Sequence, residues 1–396
     1  MRIFTRIVAT SFLTLGLAAP VLAQSIQCGG SFSTFMRNVA AEAASRGLPD
    51  NAIRAVVNAA QQNDRVLRFD RSQGVFRQTF LEFSQRSISS SRLRIGAEKT
   101  QQYRSVFDRA QRDYGVPPEV ILAFWALETD YGVVQGDFNT VSALATLAHD
   151  CRRPDLFQPE LFAAIALTAQ GDLNPASMTG AWAGEIGMVQ MLPLDILERG
   201  MDGDGDGRVT LKTSAPDAIL TAARLVADLG WYANEPWLQE VTVPSDFPWE
   251  QAGLDRPMTV RQLRQLGVRA REGSLQSGNA QATLLLPQGR NGPKFITYRN
   301  YDVYREWNHS FVYQATVSYM ATRIGGAARY DAGNPDEGLS GDQMERLQRI
   351  LQNRGYDVGG IDGVLGARTR AAVRNEQLRL GMPADAWPTP GLLARY

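Results

Sequence analysis

The chain contains few of the residues on which several specialised protein classes depend. Among its 396 residues are only two cysteines and two histidines, too few for a cysteine-rich scaffold or a His-rich metal site. Acidic and basic residues balance at 41 each, so there is no excess positive charge for binding nucleic acid. The 44% of apolar residues excludes wholesale disorder. We therefore expect a globular protein of two or three domains without a nucleic-acid partner.

The longest apolar run lies at the N-terminus and is too short for a comfortable membrane span. Arg2 and Arg6 flank its start, the apolar stretch covers residues 7–19, and small residues around Ala23 suit cleavage. The pattern predicts a signal peptide over residues 1–23, and hence export; an uncleaved anchor is the alternative. Because no later run is long enough to cross a bilayer, we expect no transmembrane segment.

The two cysteines, Cys28 and Cys151, both follow the predicted cleavage site. In an exported protein, a lone pair more often forms one disulfide than two free thiols. We therefore predict a Cys28–Cys151 disulfide, which closes a long loop and contributes at most about 4–5 kcal/mol to stability.

Hydrophobic periodicity predicts a mainly α fold with a small β region, followed by a small helical module. Helices are expected from Pro118 and over residues 32–46, 51–62, 159–170, 216–230 and 309–324. Strands are expected over residues 239–243, 282–286 and 294–298. A Gly- and Asp-rich segment predicts the domain boundaries: a first domain over 24–330, a linker over 331–340 and an independently folding module over 341–396.

One apolar helix carries an acidic residue on its apolar stripe. The residues spaced at i, i+3, i+4 and i+7 are Ile121, Phe124, Trp125 and Glu128. Burial of Glu128 would raise its pKa and keep it protonated, as a general acid for a glycosidic oxygen requires. A buried acid paired with an arginine is the alternative. Glu119, in the first turn of the same helix, is expected only to complement the helix dipole.

A second informative segment covers residues 178–193, where small residues surround Trp182 and Gln190 precedes an apolar run that ends in Pro193. Small side chains let a backbone approach a ligand closely. They also suit a tight crossing of two helices, so the segment by itself leaves both interpretations open.

Together, the sequences ALETDYGVVQGDFNTVSALATLA and TGAWAGEIGMVQMLP resemble the lytic murein transglycosylases of the membrane-bound B type. The resemblance extends from about residue 28 to residue 325. It implies a lysozyme-like α+β catalytic domain and a periplasmic enzyme that cleaves the glycan strands of peptidoglycan. It also implies that Glu128 is the sole catalytic acid/base and that the chemistry needs no cofactor.

The same resemblance implies a set of substrate-binding residues: Gln190, Trp307, Asn308, Arg152, Arg153 and Phe83. Three positions depart from the family pattern. Ala181 stands where many members have Ser, and Leu225 and Phe83 stand where Tyr can occur. These departures concern sugar subsites rather than the chemistry.

The loop DGDGDGRVTLKT, residues 202–213, places Asp at positions 1, 3 and 5 and Gly at position 6, as in an EF-hand. Position 12 is Thr213 instead of the usual Glu. Relatives carry a calcium loop here whose last acid comes later, so the resemblance implies a structural Ca²⁺ site. Its predicted residues are Asp202, Asp204, Asp206, Arg208 and Asp217. An Asp/Gly turn without an ion is the alternative.

The C-terminal residues 341–396 contain the pattern DG-x-x-G-x-x-T-x-x-A-V and resemble the three-helix peptidoglycan-binding domain type 1. A module of this kind would hold an enzyme on its polymer and raise its local concentration.

The function predicted from these features is cleavage of the MurNAc-β-1,4-GlcNAc bond with formation of 1,6-anhydroMurNAc ends, by a monomer. Two alternatives remain open. A hydrolase (muramidase) needs a second carboxylate about 5–10 Å from the first, for which Glu185 and Asp130 are the candidates. A non-catalytic wall-binding scaffold would gain nothing from a desolvated acid at Glu128.

Overall fold

The computed structural model describes residues 26–71 and 78–396, so the predicted signal peptide lies outside the described residues. The α-helices of the first 230 residues are α1 (Phe32–Ser45), α2 (Asp50–Ala59), α3 (Asp64–Arg71), α4 (Phe80–Ser87), α5 (Ser90–Gln102), α6 (Arg104–Tyr114), α7 (Pro118–Thr129), α8 (Thr140–His149), α9 (Pro154–Gln170), α10 (Pro193–Arg199) and α11 (Ala215–Asp228). Those that follow are α12 (Val260–Gln265), α13 (Tyr301–Trp307), α14 (Phe311–Ile324), α15 (Gly341–Asn353), α16 (Ala367–Arg379) and α17 (Pro390–Leu393). Across the described ranges, no helix is both long and apolar enough to cross a membrane.

The strands form two antiparallel sheets. They are β1 (Phe138–Asn139), β2 (Thr179–Gly180), β3 (Leu238–Thr242), β4 (Met258–Thr259), β5 (Arg269–Ala270), β6 (Gln281–Leu285) and β7 (Phe295–Thr297). β1 pairs with β2, and the other five make one sheet in the order β4-β6-β7-β3-β5. The prediction of a mainly α fold with a small β region is confirmed. The two-residue strands were not predicted, because a two-residue segment shows no alternation that identifies a strand.

Helix α7 lies at the centre of the helical core. Every residue from Val120 to Ala126 is buried, so the helix is apolar on all sides rather than along one stripe. It begins with Pro118 at its first position, as predicted. It packs against α14, α6, α5 and α11. These surrounding helices shield Glu128, in the last turn of α7, from water.

The predicted disulfide is present: Cys28 and Cys151 are bonded across 123 positions of the chain. Nearby, the backbone N–H of Gly29 donates to the carbonyl of His149 at 2.9 Å. The disulfide and this hydrogen bond together fix the segment before α1 against the end of α8.

The C-terminal module is built around the buried side chain of Gln348. Its Nε2 donates to Asp362 Oδ1 at 3.0 Å, and its Oε1 accepts from the N–H of Gly363 at 2.9 Å. Thr369 Oγ1 in turn donates to the carbonyl of Val358 at 3.0 Å. These bonds give the Asp-Gly and Thr positions of the sequence pattern a structural role, because they fix the turn between α15 and α16.

The module is docked on the catalytic domain, which differs from the free linker that the sequence suggested. Arg374, only 2% exposed, donates to Asp255 Oδ1 at 2.8 Å and to the carbonyl of Ala252 at 3.0 Å. The guanidinium of Arg370 lies 3.9 Å from the ring centre of Phe311. The connecting segment is held as well, since the N–H of Asp331 donates to Glu240 at 2.7 Å. Single-sequence patterns could not show this, because each arginine appears as an ordinary exposed helix residue.

Candidate active site

Glu128 lies in the last turn of α7, where two other segments of the chain contact the end of the helix. The helix ends because Asp130 and Tyr131 adopt left-handed conformations, with φ of 52° and 59°. Thr129 Oγ1 donates to the carbonyl of Met188 at 2.6 Å, which ties the helix end to the segment 178–193. Arg92 pairs with Asp130 at 2.8 Å. The acid is therefore held on a rigid element.

Two donors bind the same oxygen of Glu128. Trp307 Nε1 donates to Oε1 at 3.1 Å, and the hydroxyl of Tyr313 donates to Oε1 through a short hydrogen bond. No described residue bonds Oε2. The alternative of a buried acid paired with an arginine is therefore wrong within the described part of the chain.

Burial raises the pKa of Glu128 to about 7, although the hydrogen bonds from Tyr313 and Trp307 act in the opposite direction. The charge of Glu185 adds a smaller increase. Burial also keeps the Tyr313 phenol protonated, because it holds the pKa of that hydroxyl well above its ordinary value. A carboxyl group with a pKa near neutrality can both donate and accept a proton at working pH.

The indole of Trp307 is positioned by stacking. Its ring lies 3.9 Å from that of Phe124, centroid to centroid, with 22° between the planes. Asn308 follows directly and ends α13, and its side-chain Oδ1 accepts from the N–H of Ser310 at 2.8 Å. Trp307, the first residue of the predicted pair, thus contacts Glu128 directly.

The basic pair is anchored rather than free. Arg152 Nη1 donates to both carboxylate oxygens of Asp70, at 2.7 and 2.8 Å, and Arg153 Nη2 also donates to Asp70. Asp70 lies on α3 and is 1% exposed. Sequence reasoning missed this buried acid, since nothing in α3 distinguishes it from its exposed neighbours.

Gln190 adopts a left-handed conformation with φ of 50°, which is uncommon for a residue other than glycine. Its Nε2 donates to the carbonyl of Gly187 at 2.8 Å. An isolated β-bridge between Ile186 and Met191 closes the surrounding turn. The segment 178–193 is therefore a β-strand followed by a tight turn, and the alternative of a helix–helix crossing is wrong.

Phe83 lies on α4, half-buried, with the guanidinium of Arg86 5.8 Å from its ring centre. It is not among the residues that line the cavity next to Trp307. Glu128 does not line that cavity either, so the role of Phe83 stays a prediction. Leu225, the other position where Tyr was considered, is buried within α11.

A cavity of about 740 Å³ lies beside the Trp307-Asn308 pair and includes Arg153. The linker and the C-terminal module also line it, through Ser340, Gly341, Met344, Asp362, Gly363 and Val364. The docked module thus contributes to the wall of this cavity, which Glu128 itself does not line.

Three carboxylates converge in the loop after α10. Oxygens of Asp202, Asp204 and Asp217 lie within 4.8 Å of one another, and Asp217 is fully buried. No ion pair among the described residues neutralises these three. The donor set is all oxygen, as Ca²⁺ prefers. The residues therefore fit a calcium ion.

The other two predicted metal residues lie outside this cluster of carboxylates. Asp206 Oδ1 instead accepts from the N–H of Arg208 at 2.8 Å, and the Arg208 guanidinium donates to the carbonyl of Gly171 at 2.8 Å.

Comparisons with known proteins decide the family. The model of the transglycosylase SLT domain matches residues 31–322, and that of the putative peptidoglycan binding domain matches residues 340–395. The chain belongs to the SLT transglycosylase family. In this SLT transglycosylase, the arrangement around Glu128 is the active-site candidate.

The relatives of this SLT transglycosylase are bacterial. Membrane-bound lytic murein transglycosylase B of Escherichia coli is 26% identical over 62% of this chain and 67% of its own length. Crystal structures of SltB3 from Pseudomonas aeruginosa, with NAG-anhNAM-pentapeptide and with NAG-NAM-pentapeptide, are each 32% identical and superpose with a TM-score of 0.85. These matches cover 93% of this chain and at least 99% of theirs. Escherichia coli Slt35 with calcium is 25% identical, covers 77% of this chain and 98% of its own, and has a TM-score of 0.64.

Tyr313 is the hydrogen-bond donor to Glu128 that sequence analysis missed. It lies on α14 three positions after the N-capping Ser310, in the helix that the sequence predicted over residues 309–324. The available signal was chemical: a tyrosine within an apolar helix needs a partner for its hydroxyl. That partner is Glu128, 185 positions away in the chain.

Proposed function

We propose that this SLT transglycosylase cleaves the MurNAc-β-1,4-GlcNAc bond of peptidoglycan in the periplasm, with Glu128 as the single acid/base, and forms 1,6-anhydroMurNAc ends. The observation that carries this proposal is the environment of Glu128. One of its oxygens accepts two hydrogen bonds, the other is left for a proton, and burial raises the pKa of the group to about 7.

In the first step, Glu128 gives its proton to the glycosidic oxygen and becomes a carboxylate. The bonds from Trp307 and Tyr313 strengthen as negative charge appears on the carboxylate, so they stabilise the product of proton transfer more than its reactant. The positive charge that develops at C1 is met by the substrate's own 2-acetamido group, as in substrate-assisted glycosidases.

In the second step, the Glu128 carboxylate removes the proton from the C6 hydroxyl, and that oxygen closes onto C1. The proton returns to Glu128, so no residue or cofactor is consumed. Phe124 and Trp125, in the turn before Glu128, and Met191 are all buried, and we assign them the exclusion of water as the competing nucleophile.

The engagement of Asp130, one of the two candidates for a second catalytic carboxylate, supports ring closure over hydrolysis. Asp130 is engaged by Arg92 at 2.8 Å. Glu185 lies near enough for its charge to act on Glu128, and the hydrolase alternative therefore depends on Glu185. Hydrolysis would require Glu185 to activate water or form a covalent intermediate.

We assign the glycan-binding roles to Trp307, Asn308, Gln190 and the Arg152-Arg153 pair. Their support is position, since Trp307 contacts Glu128 and Arg153 lines the same cavity as Trp307 and Asn308. Phe83 remains a prediction that rests on the family resemblance alone.

The calcium loop and the module have supporting roles in the proposal. A Ca²⁺ ion held by Asp202, Asp204 and Asp217 would neutralise the three clustered acids, and the chemistry would not require it. The module would hold the enzyme, a monomer, on its polymer. It would also form part of the wall of the cavity beside Trp307 and Asn308.

The proposal is tested by incubating murein sacculi with the mature chain, with Glu128→Gln and with Glu119→Gln. Glu128→Gln removes the transferable proton while retaining an oxygen for Trp307 and Tyr313, so the release of soluble muropeptides should stop and the circular dichroism spectrum should not change. Glu119→Gln, at the other end of the same helix, should remain active. Substantial release by a folded Glu128→Gln protein would place the acid elsewhere.

A further inference from the structure

A cavity of about 240 Å³ in the catalytic domain takes no part in the proposed mechanism. It lies between α4, the start of α5, the last turns of α14 and the segment that follows α14. No acidic residue of the described ranges lines this arginine cavity, so its net charge is positive. Its hydrogen-bonding groups include those of Ser84, Gln85, Ser90, Arg323, Arg329 and Tyr330.

Direct contacts hold the elements around the arginine cavity together. Ser84 Oγ and the Tyr330 hydroxyl lie 2.8 Å apart, which joins α4 to the segment after α14. The N–H of Tyr330 donates to the hydroxyl of Tyr319 at 2.7 Å. Arg323 follows Tyr319 by one turn of α14, so the two side chains lie on the same face of that helix. The polar groups therefore surround one common space.

The two arginines of the cavity have no acid to neutralise them. Neither Arg323 nor Arg329 forms an ion pair with a carboxylate of the described ranges. Arg323 is partly buried, and its covered Nε–H is unpaired as well, which adds to the cost of desolvating the charge. Glu240, an acid whose charge reaches Tyr319, is already bound through both oxygens by Arg271, at 2.7 and 2.8 Å.

The start of α5 adds a second attraction for negative charge. Ser90 is the first residue of this 13-residue helix, and it is exposed and lines the cavity. The N–H groups of a first turn have no acceptor within the helix and carry the positive end of its dipole. The Ser89 side chain accepts only from the N–H of Arg92, at 3.2 Å. A helix start that faces unpaired arginines is an environment that binds anions.

We propose that the arginine cavity binds a small oxyanion, a phosphate or a carboxylate group. The outer guanidinium N–H groups of Arg323 and Arg329 hold it by charge-assisted hydrogen bonds, and the Ser90 hydroxyl donates to it. The Ser84–Tyr330 pair supplies one more donor, because only one of its two hydroxyl protons is used between them. A cation would meet no acidic partner in this cavity.

Such an oxyanion has two sources: free anions in solution and the C-terminal carboxylate of a peptide stem. The second source rests on the proposed function, because it takes stem-bearing peptidoglycan as the substrate. Arg323 follows Tyr313, the donor to Glu128, by ten residues of α14, which is about 15 Å along the helix. An extended pentapeptide spans about 17 Å, so a stem is long enough to cover that distance.

The test is isothermal titration calorimetry of the full mature chain at low ionic strength, with inorganic phosphate and, separately, with a stem pentapeptide. Sodium chloride at the same ionic strength controls for screening, and a pentapeptide with an amidated C-terminus controls for the carboxylate. The variants are Arg323→Gln and Ser90→Asp, and the second places a negative charge at the cavity in a position that favours helix formation. Its matched control is Ser91→Asp, which adds the same charge one residue later, at a position that does not line the cavity.

We expect saturable binding of phosphate to wild type with a Kd of about 1 mM or lower. Arg323→Gln should weaken it about ten- to a hundredfold, as for the loss of hydrogen bonds to a charged group. Ser90→Asp should weaken it at least as much, and Ser91→Asp much less. If the pentapeptide shows the same dependence and its amidated form does not bind, the stem is the source; if only phosphate binds, the source is a free anion.

No saturable binding of either probe to wild type would overturn the proposal, as would wild-type affinity in both Arg323→Gln and Ser90→Asp. If Arg323→Gln fails to fold, the exposed change Ser90→Asp still carries the test. Since binding is measured without glycan cleavage, hydrolysis products from the wild-type enzyme would refute the proposed function and leave the phosphate result unaffected.

Discussion

Phe124 and Trp307 stack with their ring centres 3.9 Å apart, and this contact aims the indole N–H of Trp307 at Glu128. Phe124 is four residues before Glu128 on the same helix, so the helix that presents the acid also positions one of its two donors. The acid is therefore preorganised before substrate binds, which reduces the reorganisation needed during the reaction.

Tyr313→Phe removes the donor that the sequence did not reveal. A hydrogen bond to the carboxylate lowers the pKa of Glu128, so its loss should raise that pKa above about 7. Because the protonated acid is the active form in the first step, the alkaline limb of the pH–rate profile should move to higher pH. At its optimum, kcat should fall about ten- to a hundredfold, because the carboxylate that forms has lost a donor.

The matched variant is Trp307→Phe, which removes the other donor and retains an aromatic ring to stack on Phe124. It should shift the alkaline limb in the same direction by a smaller amount, since Trp307 has the weaker effect on the pKa of Glu128. Unshifted profiles in both variants would show that these bonds do not set the acid's pKa.

Glu128→Gln should increase stability at alkaline pH. In the folded protein the pKa of Glu128 is about 7, against an ordinary 4.5, so the native state binds a proton more tightly than the unfolded chain. The stability from this proton is fully present below pH 4.5 and is lost as the pH rises to about 7. Glutamine never ionises, so at pH 8 the variant should unfold with a free energy about 1–3 kcal/mol higher than wild type.

Chemical denaturation at pH 8 and pH 4 measures this effect, and the advantage of Glu128→Gln should vanish at the lower pH. An advantage that is the same at both values would have to come from packing rather than from the charge of Glu128.

Asp217→Asn should remove the stabilisation that calcium gives. In wild type, adding Ca²⁺ should raise the melting temperature and a chelator should lower it, because ligands that bind only the folded state stabilise it. Asp206→Asn is the control, since Asp206 is exposed and is not one of the three convergent carboxylates. A calcium-independent melting temperature in wild type would leave the loop as an Asp/Gly turn without an ion.

Asp255→Ala should loosen the docked module. The change leaves the Arg374 guanidinium, 2% exposed, with the Ala252 carbonyl as its remaining hydrogen-bond acceptor among the described residues. We expect a loss of about 1–3 kcal/mol, reduced from that of a fully buried pair because Asp255 is half exposed. Hydrogen exchange of the backbone amides in α16 and in residues 252–255 should increase. Asp357→Ala, which breaks the exposed pair with Arg368, should cost about 0–0.5 kcal/mol.

The same ion pair gives the docking a pH dependence. The hydrogen bond from Arg374 holds the pKa of Asp255 below its ordinary value. Its contribution is therefore present above that ordinary value and is lost as the pH falls through the folded pKa. As the pH falls below about 4 and on through the folded pKa of Asp255, wild type and Asp255→Ala should converge in stability.

The sequence was sufficient for features that depend on local pattern. The helix from Pro118, the three longer strands and the acid at position 128 follow from spacing and turn residues, and the disulfide followed from the cysteine count and expected compartment. Helix boundaries were less accurate: α9 starts at Pro154 and runs through Pro159, where the helix had been expected to begin.

Contacts between distant segments could not be predicted from the sequence. The Tyr313–Glu128 bond joins residues 185 positions apart, and the Arg374–Asp255 pair joins residues 119 positions apart. Neither is marked by local periodicity, because each depends on how the elements pack. The same is true of Asp70, which is buried by Arg152 and Arg153 from the segment between α8 and α9.

The most direct test of the central claim is mass spectrometry of the products that the wild-type enzyme releases from murein sacculi. If Glu128 acts first as acid and then as base, the muropeptides should carry 1,6-anhydroMurNAc ends that borohydride does not reduce. Products heavier by one water, with ends that borohydride reduces, would contradict the account and make the chain a hydrolase in which Glu185 is the second carboxylate.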